Sequence, residues 1–369
     1  MRIVTAMSGG VDSSVAAGLL VEAGHEVIGV HMKLHEPAPK KGENPPGHCC
    51  GLDDALDARA VATRLGIPFY VLNLQEAFKR AVMDDFTASY LAGATPNPCV
   101  RCNGILKFDI LLARARALGA DALATGHYAR IRDSRLFTAA DPDKDQSYFL
   151  YPIKPEALAC TLFPLGAMTK PEVRAHAVRM DLITAQKPES MEVCFIPDDD
   201  HARFIRDSFS AEGRLGADVD CAGDVVDESG AVLGRHDGYY RYTVGQRRGL
   251  GIAAANPLYV LRVDPGTRRV VVGPAERLEH VEVDVTGAHW IRRPTADDPP
   301  LHARIRHRGA LHACTVENLD GTSLRVRFLA PARAAAPGQA LVFYAGDEVL
   351  GGATIHRAHT KEARQEFSL

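Results

Sequence analysis

The segment SGGVDSS, residues 8–14, follows a short apolar run and opens a helical pattern. Two adjacent glycines let the backbone turn tightly and approach a ligand closely. The free amides at the start of the following helix would face an anion, and the serine hydroxyls add further donors. The segment therefore predicts a phosphate-binding turn between a first strand and a first helix.

This turn differs from the two most common nucleotide loops. A Walker A loop needs a lysine directly after its glycines, and no lysine lies between Arg2 and Lys33. The dinucleotide fingerprint G-x-G-x-x-G is also missing from this stretch. Asp12 supplies a carboxylate that suits Mg²⁺. The alternative is a purely structural role, as a glycine-rich turn between strand and helix that is capped by Asp12 or Ser13.

The first 120 residues alternate apolar runs with helical patterns. We predict strands at residues 2–6, 26–32, 69–74 and 121–125, and helices at residues 13–23, 53–65, 76–91 and 104–118. Fully apolar strands separated by helices indicate a parallel sheet covered on both faces, which is the α/β class. Ligands bind such sheets at the carboxyl ends of the strands.

The sequence pattern changes near residue 220, where glycine-containing turn signals begin to recur. Short alternating segments, such as residues 323–328 and 340–344, predict β-rich domains and a small barrel at the end. We predict three domains, with a linker at 208–216 and a second boundary near 279–282. Their bounds are 1–207 for an α/β domain, 208–281 for a central β-rich domain and 282–369 for the barrel.

Composition excludes several classes of protein. The 369 residues are 46% hydrophobic and carry 43 Lys and Arg against 46 Asp and Glu, for a net charge of −3. This balance argues against a uniformly basic nucleic-acid binder, although a local basic face stays possible. No apolar run reaches the roughly 18 residues of a membrane span. The first acidic residue, Asp12, comes too early for a signal peptide, so we expect a cytoplasmic protein.

The C-terminal end is mildly basic. Residues 290–369 contain 11 Lys and Arg and 8 Asp and Glu. Arg304, Arg306 and Arg308 alternate, so in a strand they would share one face. That face would be either a solvated surface or a stripe that contacts phosphates.

Eight cysteines are too few for a disulfide scaffold in a chain of this length. Cys99 and Cys102 form a CxxC pair, which in a reducing compartment points to metal or sulfur chemistry. The residues alone give no role to Cys49, Cys50, Cys160, Cys221 or Cys314.

Four further blocks, together with SGGVDSS, carry a specific resemblance. The loop resembles the pyrophosphate loop of the ATP-pyrophosphatase (PP-loop) superfamily. The blocks TPNPCVRCN (95–103), KDQSY (144–148), EVCFI (192–196) and YTVGQRRGLG (242–251) resemble those of tRNA-specific 2-thiouridylases. The resemblance extends along nearly the whole chain.

The resemblance implies a fold and a reaction. The fold would be an adenine nucleotide alpha hydrolase-like α/β domain followed by a central domain and a tRNA-binding barrel. ATP, with Mg²⁺, would adenylate the C2 oxygen of the wobble uridine in Lys, Glu and Gln tRNAs, and a sulfur nucleophile would displace AMP. The partners would be tRNA and a sulfur donor, such as a cysteine desulfurase or a relay protein, without a membrane.

The resemblance also assigns residues. Cys102 matches the nucleophile, and we expect it at a helix start, where the helix N-terminus would lower its pKa. Cys194 matches the cysteine that carries a persulfide. The positions that match nucleotide contacts are Ala6, Met7, Ser8, Gly9, Gly10, Val11, Asp12, Ser13, Met32 and Gly126. Those that match contacts to the target base are Asn97, Pro98 and Cys99, and those that match tRNA contacts are His127, Lys144, Asp145, Gln146, Arg304, Ile305 and Gln339.

The chain departs from one version of the family pattern at Cys99, where some members have Asp. Cys99, Cys102 and Cys194 resemble the three cysteines of cluster-dependent tRNA thiolases, which hold an iron–sulfur cluster with one iron open. The persulfide and cluster mechanisms are both open at this point.

Two other functions compete with thiolation. Another pyrophosphate-loop enzyme, such as an amidating synthetase or a tRNA lysidine synthetase, would share the loop but would not require the pair Cys102 and Cys194. A non-catalytic RNA-binding protein would use the barrel alone and would leave SGGVDSS unexplained.

Overall fold

The computed structural model describes residues 1–35, 52–189, 193–211 and 221–360. Cys49 and Cys50, and part of the block EVCFI, lie outside these residues. Within the described ranges no helix is both long and apolar enough to cross a membrane.

The N-terminal half is built on a parallel sheet, as its alternating pattern predicts. Five strands run in the order β3-β2-β1-β4-β7, and each neighbouring pair is parallel. The strands of this half are β1 Arg2–Ala6, β2 Glu26–Lys33, β3 Phe69–Asn73, β4 Ala122–Ala124, β5 Arg130–Arg132, β6 Arg135–Phe137 and β7 Thr161–Leu162. Because the strand order reverses between β1 and β4, the crevice for a ligand lies beyond their carboxyl ends.

Helices cover this sheet and begin at other residues than the sequence pattern suggests. The helix predicted at 104–118 starts six residues earlier, because Asn97 caps it and Pro98 occupies its first turn. The uninterrupted α-helices are Val11–Glu22, Leu52–Leu65, Pro155–Leu158, Lys170–Arg179 and His201–Ala211. In one longer helix, the α-helical segments Gln75–Phe78 and Asp84–Leu91 are joined by the π-helical segment Lys79–Met83. In another, Pro98–Arg101 and Leu112–Ala117 are joined by the π-helical segment Cys102–Leu111. Short 3₁₀ turns span Ser147–Phe149, Tyr239–Arg241 and Ala275–Leu278.

A central sheet follows the last of the long helices. Its strands are β8 Gly223–Val226, β9 Val232–His236, β10 Tyr259–Asp264 and β11 Arg269–Gly273, in the order β10-β11-β8-β9. The linker predicted at 208–216 is wrong at its start, because helix His201–Ala211 continues through those residues. The remainder of that linker lies outside the described residues.

The C-terminal strands close into a barrel, which confirms the prediction from the turn signals. They are β12 Glu279–Trp290, β13 Leu301–Arg304, β14 His312–Asp320, β15 Ser323–Arg333, β16 Ala340–Ala345 and β17 Glu348–Thr360. Closure comes from β12, which pairs with β15 on one side and β17 on the other. The hairpin of β5 and β6 from the N-terminal half extends the same sheet by pairing with β17.

The predicted arginine stripe does not form. Strand β13 ends at Arg304, and the chain then bends and turns. Arg308 has a φ of 57°, which breaks the alternation of a strand. Both readings of the stripe assumed a longer strand and are therefore wrong.

The accessory units share apolar cores with the α/β half. One cluster joins Tyr148 and Tyr151 to Val342 and Tyr344 of the barrel. A second cluster joins the helix Asp84–Leu91 to the central sheet. Since both cores are continuous, the central sheet and the barrel have fixed positions against the α/β half.

A buried histidine makes the stability of the barrel depend on pH. Burial, reinforced by the charge of His359, lowers the pKa of His280 on β12 to about 4. The unfolded chain binds a proton near pH 6.5, whereas the folded barrel does not, so stability is complete above that pH and falls as the solution becomes more acidic. At pH 5 the loss from this residue is about 2 kcal/mol.

We therefore expect His280→Leu to reduce the loss of unfolding free energy between pH 7.5 and pH 5. Urea denaturation at the two pH values measures this loss. His356→Leu on β17 is the matched control, since His356 is exposed. An equal acid loss in wild type and His280→Leu would contradict the role of His280.

Candidate functional site

The loop after β1 is a compact turn in which Ser13 and Ser14 are buried and Ser8 is exposed. Gly9 has a φ of +83°, and a side chain there would overlap the backbone of Asp54, so this position requires glycine. The Ser8 amide donates to Ser13 Oγ at 3.1 Å, and Ser13 Oγ donates to the Gly10 carbonyl at 3.1 Å. Gly10 caps the helix Val11–Glu22 without a side-chain bond, so its first amides keep an anion-binding geometry.

A histidine on the neighbouring strand fixes the entry to this loop. The His31 ring donates from Nδ1 to the Met7 carbonyl at 2.9 Å, and His31 is buried. Burial lowers its pKa, which keeps the ring neutral. Ala6 and Met7 are buried beside it, and Met32 is half-buried at the end of β2. His31 could not be predicted from the sequence, because only the pairing of β1 with β2 places its ring beside the Met7 carbonyl.

A lysine from a distant helix reaches the loop. Lys170 Nζ lies 2.7 Å and 2.8 Å from the two carboxylate oxygens of Asp12. The same ammonium lies 3.0 Å from Glu189, which in turn lies 2.6 Å from Lys144 Nζ. The Tyr128 hydroxyl also donates to Asp12 at 2.8 Å. A series of ion pairs therefore connects the phosphate loop to the turn at residues 144–146, called the KDQ turn below.

This series of ion pairs shifts the pKa values of its members. Burial raises the pKa of Glu189, but the hydrogen bonds from Lys144 and Lys170 outweigh it and lower that pKa overall. Burial and the nearby Asp12 raise the pKa of the Tyr128 phenol, so it remains a donor. Lys170 is only 7% exposed. No pattern in the sequence announces it, since 158 residues separate it from Asp12.

The turn after β4 connects the loop to the cysteine-bearing helix. A Cβ on Gly126 would lie 2.7 Å from the backbone of Asp12, so this turn packs directly on the loop. Next to it, His127 is hydrogen-bonded to Thr125 at 2.6 Å and lies 3.3 Å from Lys107 Nζ. Burial and the positive charge of Lys107 hold the pKa of His127 well below its usual range.

Two of the three predicted functional cysteines, Cys99 and Cys102, lie on one helix, and Cys194 lies in a turn. Cys99 is exposed and Cys102 half-buried, three residues apart on one helical face. Cys102 and Cys194 pack against the same apolar cluster. The helix begins at Pro98, so the prediction that Cys102 stands at its start is wrong, and Cys102 lies one turn inside. None of the described cysteines forms a disulfide.

Of the other described cysteines, Cys221 belongs to the apolar cluster against which Cys102 and Cys194 pack, whereas Cys160 and Cys314 belong to other clusters. Cys160 accepts a contact from the Arg116 guanidinium at 3.1 Å. Cys221 and Cys314 are buried in the central unit and the barrel, and burial raises the pKa of Cys314 to about 12.

The KDQ turn is held mainly by its own polar side chains. Asp145 is buried and accepts hydrogen bonds from the amides of Ala139 and Ser147, both at 3.1 Å. Gln146 Oε1 accepts from the Tyr128 amide at 2.9 Å. Of the three predicted tRNA contacts in this turn, Lys144 is the one whose side chain carries a positive charge, which suits a phosphate.

The predicted tRNA contacts of the barrel lie where the barrel meets the α/β half. Arg304 lies 3.6 Å from Asp145 and stacks over the ring of Tyr344 at 5.2 Å. Ile305 is 2% exposed, and Gln339 donates to carbonyls of the loop at 95–96. The structure thus brings the barrel and KDQ positions together at one interface.

A crevice of about 420 Å³ opens where the three units meet. Thr95 comes from the α/β half and Thr243 from the central unit, whereas Arg306, Arg333 and Gln339 come from the barrel. A second cavity of about 410 Å³ lies within the loop of the block YTVGQRRGLG, lined by Arg247 and the backbone around Gly249. Both cavities offer cationic groups to an anionic ligand.

The described residues contain one close group of three oxygen and nitrogen ligands for a metal, formed by Glu282, Asp284 and His359. Arg325 and Arg327 form ion pairs with these carboxylates at 2.8 Å, which compensates their charge without a metal. Asp12 remains the carboxylate that lies directly in the phosphate loop, and its oxygens suit Mg²⁺.

Solved structures of other proteins align with part of this chain. A U34-tRNA thiolase, NcsA from Methanococcus maripaludis with its [4Fe-4S] cluster, is 18% identical and aligns over 58% of this chain and 66% of its own, with a TM-score of 0.34. A 4-thiouridine synthetase in complex with RNA and ATP is 19% identical and aligns over 53% and 45%, with a TM-score of 0.36.

Family models match all three units of the chain. The model described as the tRNA methyl transferase HUP domain matches residues 1–198. The tRNA methyl transferase PRC-barrel domain matches residues 217–274, and the aminomethyltransferase beta-barrel domain matches residues 281–355.

Relatives of known family match the full length. The tRNA-specific 2-thiouridylase MnmA of Geobacter metallireducens is 52% identical over 98% of both chains. The enzyme of the same name from Geotalea uraniireducens is 50% identical over 98% of this chain and 97% of its own, and that of Mycolicibacterium smegmatis is 48% identical over 97% and 100%. These relatives match this chain over nearly its whole length, and the chain belongs to the tRNA-specific 2-thiouridylase family.

Proposed function

We propose that this protein uses ATP to replace the C2 oxygen of the wobble uridine by sulfur in Lys, Glu and Gln tRNAs. One observation carries the proposal: the turn after β4 touches both the phosphate loop, through Gly126, and the cysteine-bearing helix, through His127. Adenylation and sulfur transfer therefore have adjacent sites. The proposed domains are 1–207, 208–281 and 282–369, acting in the cytoplasm with a sulfur donor protein.

The chemistry explains why a phosphate loop accompanies thiols. A carbonyl oxygen is a poor leaving group, so it must first become a phosphoester that departs as AMP. The proposed nucleotide contacts are Ala6, Met7, Ser8, Gly9, Gly10, Val11, Asp12, Ser13, Met32 and Gly126. Asp12 would hold the Mg²⁺ that accompanies the triphosphate and neutralises part of its charge.

Lys170 supplies the cation that the loop itself lacks. Its ammonium is buried against Asp12, and a buried ammonium at a phosphate loop stabilises the β- and γ-phosphates more strongly than a solvated one. Walker A loops carry such a lysine in sequence, whereas here a separate helix would deliver it. Lys170 is thus the phosphate-binding lysine of this site.

Two cysteines perform the sulfur transfer. Cys194 holds the incoming sulfur as a persulfide, whose terminal sulfur attacks C2 as AMP departs. The Cys102 thiolate then attacks the inner sulfur of Cys194, which releases the thiolated base and leaves a Cys102–Cys194 disulfide for later reduction. The shared apolar cluster against which both cysteines pack supports this pairing.

A cluster mechanism is the second candidate, and the exposure of Cys99 favours it. Cys99 and Cys102 lie three residues apart on one helix, and Cys194 packs against the same apolar cluster as Cys102, so these residues offer the type of ligand that iron–sulfur clusters use. These three residues would hold it, and its open iron would supply a binding place for the sulfur.

The tRNA would lie across the interface between the α/β half and the barrel. The proposed tRNA contacts are His127, Lys144, Asp145, Gln146, Arg304, Ile305 and Gln339. Asn97, Pro98 and Cys99 would meet the target base. Because an anticodon base is stacked, it must be flipped out to reach the cysteines. Arg306 and Arg333 of the crevice lie beside that path and suit the flanking phosphates.

Replacing either Cys102 or Cys194 by serine should abolish 2-thiouridine formation, because serine cannot carry a persulfide or form the disulfide. Mass spectrometry of tRNA from cells that express only the variant measures the loss, resolved by isoacceptor. Cys160→Ser is the control, with normal 2-thiouridine expected. Full 2-thiouridine levels in both variants would contradict the roles proposed for Cys102 and Cys194 in sulfur transfer.

Substituting Lys170→Met should raise the KM for ATP about tenfold or more, because one ion pair to a buried phosphate contributes roughly 1.5–3 kcal/mol. AMP formation in the presence of tRNA gives the KM. Arg179→Met lies on the same helix and removes an exposed pair with Glu22, so it should leave the KM for ATP unchanged. An unchanged KM in Lys170→Met would remove Lys170 from the phosphate site.

Anaerobic purification separates the two sulfur mechanisms. The persulfide mechanism predicts full activity in protein that contains no iron or acid-labile sulfide, since sulfur resides on Cys194. The cluster mechanism predicts that iron and sulfide co-purify, and that Cys99→Ala reduces both iron content and activity. Iron-free protein with full activity would exclude the cluster.

A further inference from the structure

Lys107, on the cysteine-bearing helix, places its ammonium next to a histidine rather than a carboxylate. Its Nζ lies 3.3 Å from Nε2 of His127. Lys107 is half-buried, and among the residues that the structure describes no carboxylate pairs with it. Lys144 and Lys170, by contrast, both pair with Glu189. Because a partly desolvated ammonium without a counter-charge is costly, this charge suits an anionic group of a substrate.

The neighbouring histidine is held as a hydrogen-bond acceptor. An ammonium has only N–H groups to offer, so Nε2 of His127 accepts from Lys107 and the ring proton resides on Nδ1. Nδ1 then donates to the hydroxyl oxygen of Thr125 at 2.6 Å, and Thr125 is buried. Burial and the charge of Lys107 lower the pKa of His127, which keeps the ring neutral. The ring therefore directs the ammonium without cancelling its charge.

This arrangement lies at the edge of the nucleotide crevice. Strand β4 ends at Ala124, and the turn that follows it carries Gly126 and His127. A Cβ on Gly126 would lie 2.7 Å from backbone atoms of both Asp12 and Ser13, where the phosphate loop becomes a helix. The His127 side chain alone thus separates the ammonium from the turn that packs on the loop. That position suits the α-phosphate of a nucleotide whose β- and γ-phosphates lie in the loop.

The winding of the helix puts Lys107 on the same side as Cys102. The segment Cys102–Leu111 is π-helical, and in such a segment each N–H bonds to the carbonyl five residues earlier. Lys107 follows Cys102 by five residues, so the two lie one turn apart on one side of the helix. In an α-helix the same spacing would turn their directions apart by about 140°. The positive charge and the thiol therefore face the same region.

We propose that Lys107 is a catalytic residue that binds the α-phosphate, first of ATP and then of the adenylated base. This inference rests on the proposed function for its reaction steps. In the first step the C2 oxygen of uridine forms a bond to the α-phosphorus, the bond from that phosphorus to pyrophosphate breaks, and the N3 proton passes to water. Lys107 stays protonated and stabilises the negative charge on the α-phosphate oxygens.

The same ammonium assists the departure of AMP. When the persulfide anion forms its bond to C2, the bond from C2 to oxygen breaks and its electron pair stays with AMP. The phosphate thereby changes from one negative charge to two. Because the additional charge develops beside Lys107, the ammonium stabilises this transition state more than the adenylated base. Lys170 and Lys107 would thus divide the triphosphate between them.

A comparison of AMP with adenosine isolates the contact with the α-phosphate. The two ligands differ by that phosphate alone, so Lys107→Met should weaken the binding of AMP about tenfold or more and change the dissociation constant of adenosine by less than about twofold. Isothermal titration of the full-length protein measures both constants. Lys154→Met is the matched control, since Lys154 is exposed and lies 3.9 Å from Asp109 of the same helix. It should change neither constant.

Two results of this titration would overturn the inference. Unchanged affinity for AMP in Lys107→Met would exclude the contact with the phosphate. Equal weakening of AMP and adenosine would show that Lys107 only supports the shape of the crevice. The comparison needs no tRNA, so a loss specific to AMP in a protein that does not thiolate uridine would contradict the proposed function alone.

Kinetics test the effect on the reaction itself. With saturating ATP and tRNA, Lys107→Met should form AMP about a hundredfold more slowly, because the charge that develops on the phosphate loses its donor. Lys107→Arg should recover part of that rate, since it keeps the positive charge. An undiminished rate of AMP formation in Lys107→Met would remove Lys107 from the catalytic residues.

Discussion

The packing of one helical stretch, residues 98–117, fixes the relation between all parts of the site. Phe108 and Leu111 on it pack into the cluster shared with the barrel, and Leu106 packs into the cluster shared with the central sheet. Each such side chain contributes roughly 1.5–3 kcal/mol on burial, whereas a hydrogen bond contributes about 1 kcal/mol. Apolar packing therefore holds the helix between the two accessory units, and hydrogen bonds at its beginning only select its final position.

Net charge gives a poor account of how this protein would meet an anion. The barrel end has three more basic than acidic residues, yet many of its arginines have partners within the protein. Arg292 pairs with Asp298 and Glu348 at 2.8 Å, and Arg325 and Arg327 pair with carboxylates of β12 and β14. Recognition of RNA then depends on the few cations at the junction of the three units, together with its shape.

Local patterns predicted the parallel sheet, the phosphate loop and the barrel, because strand and helix periods are properties of neighbouring residues. They failed where a contact between distant residues decides the outcome. The alternation of Arg304 and Arg306 suggested a long strand, but Arg304 instead packs on Asp145 of another unit. Lys170 is 158 residues from Asp12, and Gln339 is 244 from Thr95, so no sequence window contains either pair.

The charges around the loop also explain how a lysine can be kept buried there before a nucleotide arrives. A buried ammonium is costly unless it is paired, and Lys170 has both Asp12 and Glu189 within 3.0 Å. In the proposed site Asp12 would hold Mg²⁺ and Lys170 would bind phosphate oxygens, so each group would exchange one opposite charge for another. Because neither charge would be left unpaired, binding of a triphosphate would add no further cost of burying an unpaired charge. Glu189 would continue to pair with Lys144 on the tRNA side.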